Sequence, residues 1–124
     1  MFNLKFDKET ARFYRYSGFI DIVKFTVYIE KWRTPIPKPE DIVVEIGVPE
    51  DFKNKTKYKP LDIDNNSTLR SKPIYEELRE IEEMTKTIRH DPIVTRNDWE
   101  VGSVYIPKDL VPNNEIISIF IQWQ

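Results

Sequence analysis

Period-two alternation of apolar and polar residues dominates this chain, and it dictates strands with one dry and one wet face. Val23, Phe25, Val27 and Ile29 share one side of an extended segment, with Lys24, Thr26, Tyr28 and Glu30 on the other. Ile42, Val44, Ile46 and Val48 repeat the pattern, as do Val104 with Ile106, and Ile117, Ile119 and Ile121 with Trp123. Two shorter stretches, Phe2 to Phe6 and Arg12 to Tyr16, bring the expectation to about six strands, with Ser17-Gly18 as a break before the long one. Trp123, next to the last residue, implies that its strand is held inside the sheet or against another subunit.

One segment reads differently. Ile74, Leu78, Ile81, Thr85 and Ile88 fall on a single stripe at helical spacing, which predicts an amphipathic helix over about 73 to 90 packed on the sheet. Pro73 suits a first helical turn, Glu76 and Glu77 complement the positive end, and Lys86, Arg89 and His90 the negative end. Glu82 with Lys86 adds an i,i+4 pair, and Asp91-Pro92 supplies a stop.

Two segments echo each other. Val27-Tyr28-Ile29-Glu30-Lys31 through Pro35 and Val104-Tyr105-Ile106-Pro107-Lys108 through Pro112 both read V-Y-I-x-K-x-x-x-P. Each leads, after a turn, to an acidic residue (Asp41, Glu115) and a further alternating strand. A strand, a proline corner that cannot continue the ladder, and a return strand are therefore used twice. Two copies are too few for a solenoid. The expected fold is mainly β with one helix: a small antiparallel β-sandwich or half-barrel, built as a single domain over 1–124.

Composition narrows the chemistry. With 124 residues, 40% hydrophobic and 13% aromatic, the chain is long and apolar enough for one real core. It has no cysteine, so thiolate nucleophiles, disulfides and cysteine-ligated metals are excluded. The net charge of −2 argues against a molecule that is basic throughout. The start alternates and carries charges where a signal peptide needs an apolar run, and no stretch approaches the ~20 apolar residues of a membrane helix. An intracellular protein with no membrane association is expected.

No complete catalytic set emerges. His90 is the single histidine, no G-x-S-x-G elbow is present, and three glycines (Gly18, Gly47, Gly102) leave no phosphate-cradling loop. Asp62-Ile63-Asp64-Asn65-Asn66 begins like a calcium loop, but Ser67 stands where glycine is needed and Pro73 where a bidentate glutamate is needed. Asp98 and Glu100 would share one face of an extended segment, with no third group to support acid–base work. No cofactor is implied.

Two kinds of partner remain. Tyr28, Trp32 and Arg33 are residue types enriched at interface hot spots, and the rigid Pro35-Ile36-Pro37-Lys38-Pro39 segment is either a docking arm or a stiff connector. On this reading the chain is a non-catalytic binding or structural module acting through protein contacts or self-association; a virion component or an inhibitor docking on a host machine fits that profile. The alternative is a single-stranded nucleic-acid binder. Arg12, Tyr14, Arg15 and Tyr16 interleave cations with stacking surfaces, residues 1–33 carry seven basic against four acidic side chains, and Lys53, Lys55, Lys57 and Lys59 line up on one face if extended.

Overall fold

A computed structural model describes residues 1–55, 57 and 70–124. The strands are β1 (Phe2–Glu9), β2 (Phe13–Ile20), β3 (Val23–Glu30), β4 (Asp41–Gly47), β5 (Ile74–Glu83), β6 (Thr87–Pro92), β7 (Val101–Pro107) and β8 (Ile116–Trp123). They close into an antiparallel barrel in the order β1-β2-β3-β7-β6-β5-β8-β4, with β4 pairing back onto β1. The mainly β expectation holds; among the described residues the chain forms a closed barrel of eight strands where a small sandwich or half-barrel of about six was expected. No helix among the described residues is long and apolar enough to cross a membrane.

The expected helix over 73 to 90 is instead the β5–β6 hairpin, which turns through a Met84 N–H to Thr87 carbonyl bond of 2.9 Å. Ile74 and Leu78 lie four apart, a spacing that suits both periods, and both point into the barrel. Between them Glu76 also points inward, so a buried carboxylate interrupts the apolar alternation that would have marked a strand. Beyond Leu78 the register shifts between Glu80 and Glu82, and Ile81 and Met84 are exposed near the hairpin tip. β5 bonds to β6 on one edge and β8 on the other; a helix here would leave both of those edges unpaired. The turn expected at Ser17-Gly18 also lies elsewhere. β2 runs through it to Ile20, and the corner is taken by Asp21 at φ 55°, in the left-handed region that aspartate tolerates.

The echo in the sequence is a repeat in space. β4-β1-β2-β3 and β8-β5-β6-β7 are the same Greek-key arrangement of four strands, joined through the β3·β7 and β4·β8 seams. Val27 pairs with Val104, its own counterpart, which places a pseudo-twofold axis at that point. Tyr16 pairs with Val27 as His90 does with Val104, and Phe6 pairs with Tyr16 as Glu80 does with His90. A register shift follows both Phe6 and Glu80. Each half ends its third strand in a 3₁₀ turn, Lys31–Arg33 or Lys108–Leu110, closed by an N–H bonding back to the lysine carbonyl. Those lysines reach equivalent glutamates: Lys31 to Glu9 at 2.6 Å and Lys108 to Glu83 at 3.5 Å. Leu4 and Ile42 match Leu78 and Ile117, which makes the second connector two residues shorter than the first and shifts the strand match by one from Ile116.

Inward-facing Leu4, Phe25, Val27, Ile29, Ile42, Val44, Leu78, Val104, Ile106, Ile117 and Ile119 fill the interior without solvent exposure. Burying each such side chain contributes roughly 1.5–3 kcal/mol, and this core fixes the barrel on which the polar features below are mounted.

Candidate functional site

The outer wall of β2, β3, β7 and β6 carries a strip of aromatic and arginine side chains. Because Val27 and Val104 face inward, their neighbours Tyr28 and Tyr105 face outward, with ring centroids 6.4 Å apart. Phe13 meets Tyr28 edge-on at 5.9 Å, Arg12 lies over Phe13 at 5.4 Å, and Arg96 lies over Trp99 at 5.0 Å. Gly102 makes room for this: a Cβ there would stand 2.7 Å from the Phe13 ring. Between the rings runs a cleft of about 190 Å³ lined by Phe13, Tyr28, Arg89, Arg96, Trp99 and Tyr105 together with Ser103.

Most cations of this strip already hold a carboxylate. Arg12 Nε donates to both oxygens of Glu30 at 2.7 and 2.8 Å. Arg15 Nε donates to Asp7 at 2.7 Å, and Arg89 donates to Asp91 and to the Ser103 hydroxyl. Burial alone would raise the Asp7 carboxyl, but hydrogen bonds from Arg15, Ser17 and Lys24 together with the charge of Arg15 outweigh it and hold it at about 2. Arg96 has no carboxylate partner among the described residues.

The structure separates the residues singled out in the sequence. Tyr28 is on this strip. Trp32 lies instead in a cleft of about 460 Å³ beside Tyr14 and the proline segment, which serves as the connector from β3 to β4. Arg33 is fully buried and cannot meet a partner. Arg12 and Arg15 lie on the strip, but alternation turns Tyr14 and Tyr16 away from it: Tyr16 is fully buried in the core, and Tyr14, half-buried against that core, lines the connector cleft beside Lys31. Lys53 is exposed beside Glu50, and Lys55 sits over the Phe120 ring at 4.4 Å. Lys57 is drawn into a buried ion cluster, while Lys59 and the calcium-like 62–66 segment lie outside the described residues. Phe13 lay within the Arg12–Tyr16 segment read as cations interleaved with stacking surfaces, while Tyr105, Arg89, Arg96 and Trp99 were not singled out as site residues. Tyr105 was legible as the echo of Tyr28; the others come together only through non-local pairing.

That ion cluster sits at the end of the barrel where β3 leaves and β4 begins, the first end. Arg33 Nε donates to Glu100 at 2.7 Å, and its two terminal nitrogens donate to the carbonyls of Arg70, Lys72 and Pro73. Lys57 bonds the other Glu100 oxygen at 2.6 Å and also pairs with Glu76. Glu100 is thus committed to two cations, while Asp98, at the end of the 3₁₀ turn Arg96–Asp98, accepts from the Thr95 hydroxyl. Aromatic packing narrows this end further. Phe6 and Tyr16 meet at 6.0 Å, Lys38 lies over Phe6, and the Tyr16 hydroxyl donates to the Pro39 carbonyl at 2.5 Å.

At the second end, where β7 leaves and β8 begins, the equivalent positions hold Glu80, Ile88 and His90. A cavity of about 800 Å³ opens there, bounded also by Lys108 and the connector residues Val111 to Glu115. His90 is 2% exposed, and burial pushes its imidazole below the usual value, against the pull of the Ile88 carbonyl, Glu80 and Asp91. Its Nδ1 lies 3.2 Å from the Ile88 carbonyl oxygen, which can only accept, so Nδ1 carries the proton and Nε2 of the neutral ring is an acceptor.

Comparison of the chain with protein-family models, curated proteins and solved structures returns no match, so the reading of its role rests on these surfaces.

Proposed function

We propose that this chain is a binding module that works through protein contacts, with the outer wall of β2-β3-β7-β6 as its docking face. The observation that carries this reading is the strip of Phe13, Tyr28, Tyr105 and Trp99 interleaved with arginines, of which Arg12, Arg15 and Arg89 already hold carboxylates. Tyrosine, tryptophan and arginine dominate interface hot spots because they bring large area with few rotamers and directional donors. Pairing by Asp7, Glu30 and Asp91 leaves the strip close to neutral, which suits a polypeptide surface. A phosphate backbone would have to displace those carboxylates, and the lysines that might have joined such a track are dispersed.

A photo-crosslinking amino acid at Tyr105 tests this in the cell that makes the protein. One discrete protein adduct is expected, lost when Trp99→Ala and Arg96→Ala remove the neighbouring anchors. Crosslinks confined to nucleic acid, together with salt-sensitive binding of labelled single strands in anisotropy, would overturn it in favour of the nucleic-acid alternative. An adduct that persists in the double variant would remove the strip as its cause.

A further inference from the structure

We infer that the second end of the barrel is a binding site for a small, flat, uncharged heterocycle of nucleoside size, lodged against Ile88, Val111 and Pro112 and read by His90. This site is separate from the docking wall and does not depend on it. The inference starts from broken symmetry. The two connectors each roof a cleft at equivalent places, but the one at the first end measures about 460 Å³ and stops at Tyr14. Its counterpart reaches about 800 Å³ and runs down to Glu80 and His90, where the other half holds Phe6 and Tyr16. That volume lies within the roughly 300–1,000 Å³ of small-molecule pockets.

The lining selects the class. Ile88, Val111 and Pro112 offer apolar surface to a ring face. Arg79 and Lys108 are balanced by Glu80 and Glu115, so the rim gives a net-charged ligand no advantage. In the first half the Tyr16 hydroxyl spends its proton on the connector carbonyl of Pro39. His90 stands in that register with an acceptor nitrogen, so the complementary group is an N–H or O–H of the ligand. Asn113, with Glu80 and Glu115, supplies donors and acceptors for ring edges and hydroxyls.

His90 is the chain's only histidine, so its Hε1 proton gives a single resolved NMR signal. Titration with adenosine, guanosine, cytidine and uridine should produce a saturable shift of that signal with at least one of them. Asn113→Ala should weaken that binding by about tenfold, the loss of one neutral hydrogen bond. The decisive variant copies the first end into the second: Glu80→Phe with His90→Tyr should abolish binding by calorimetry while the melting temperature is kept or raised. If that variant does not fold, Ile88→Tyr, which copies Tyr14, takes its place. No shift with any nucleoside at millimolar concentration, binding that survives the filled end, or binding only by phosphorylated forms would overturn the proposal.

Discussion

The two ends of the barrel are built from one chain pattern and finished differently. Both have a strand ending in a lysine-led 3₁₀ turn, a proline, a connector, and a lysine–glutamate pair to the neighbouring hairpin. At the first end Phe6, Tyr16 and Arg33 fill the space with rings and a buried guanidinium; at the second the same positions carry Glu80, His90 and Leu110. The connector there is also two residues shorter. Backbone repetition therefore places a cleft at each end, and side-chain volume at the matched Phe6/Glu80 and Tyr16/His90 positions decides how far it runs into the barrel.

The comparison is broken most forcefully at Arg33. Arg33→Met leaves Glu100 buried with one cation fewer and strips the donors from three carbonyls, which should cost about 3–5 kcal/mol in urea unfolding. Leu110→Ala at the matched, half-buried position should cost about 1–2 kcal/mol, below the range of fully buried leucines. Equal losses would mean that the first end is not held by its ion cluster.

A smaller effect separates His90 from Tyr16 through pH. The folded value of His90 lies below its ordinary 6.5, so the unfolded chain takes up the proton first as pH falls. Stability should be fully present above pH 6.5 and decline below it until the folded value is passed. Tyr16, whose hydroxyl burial pushes upward, adds nothing in that range, and His90→Tyr should flatten the slope. A separate loss belongs to Asp7, whose folded value is depressed: its contribution holds above about pH 4 and fades as pH falls toward 2, and Asp7→Asn should remove it. A His90→Tyr profile unchanged between pH 5 and 7 would show that His90 is as solvated folded as unfolded.

The finest comparison is between the matched lysines. Lys31→Ala and Lys108→Ala should each cost less than about 1 kcal/mol, because both pairs are partly exposed. Lys31 should cost more, since its pair is shorter and its ammonium also lies 5.3 Å from the Tyr14 ring centroid. The reverse order, read from denaturation midpoints, would mean the second end is the tighter of the two.

Much of the barrel was legible in the residues themselves. Alternation located β3, β4, β7 and β8, and the V-Y-I-x-K pattern located the repeat, because those strands line the two seams where counterparts face each other. The repeat was illegible in β1-β2 against β5-β6, where Phe6, Tyr16 and Phe2 have become Glu80, His90 and Glu76 and only a few identities such as Leu4 with Leu78 remain. The same exchange hid β5, since a carboxylate at an inward position makes Ile74 and Leu78 look helical. As for the candidate sites, Tyr28 on β3 and Arg12 just before β2 were singled out in the sequence and both lie half-buried on the outer strip. Arg33 and Lys57 were misplaced because sequence alone does not say when a cation will be buried against Glu100.

The seams have a consequence during synthesis. β3 and β4 complete their hydrogen bonds only with β7 and β8, whose pairings join Val27 to Val104 and Ile42 to Trp123 across most of the chain. If β4-β1-β2-β3 pair before β7 and β8 have emerged, that sheet has two raw edges, able to recruit any extended neighbour. The interval between the emergence of β4 and of β8 is the period in which this molecule is most exposed to misassembly.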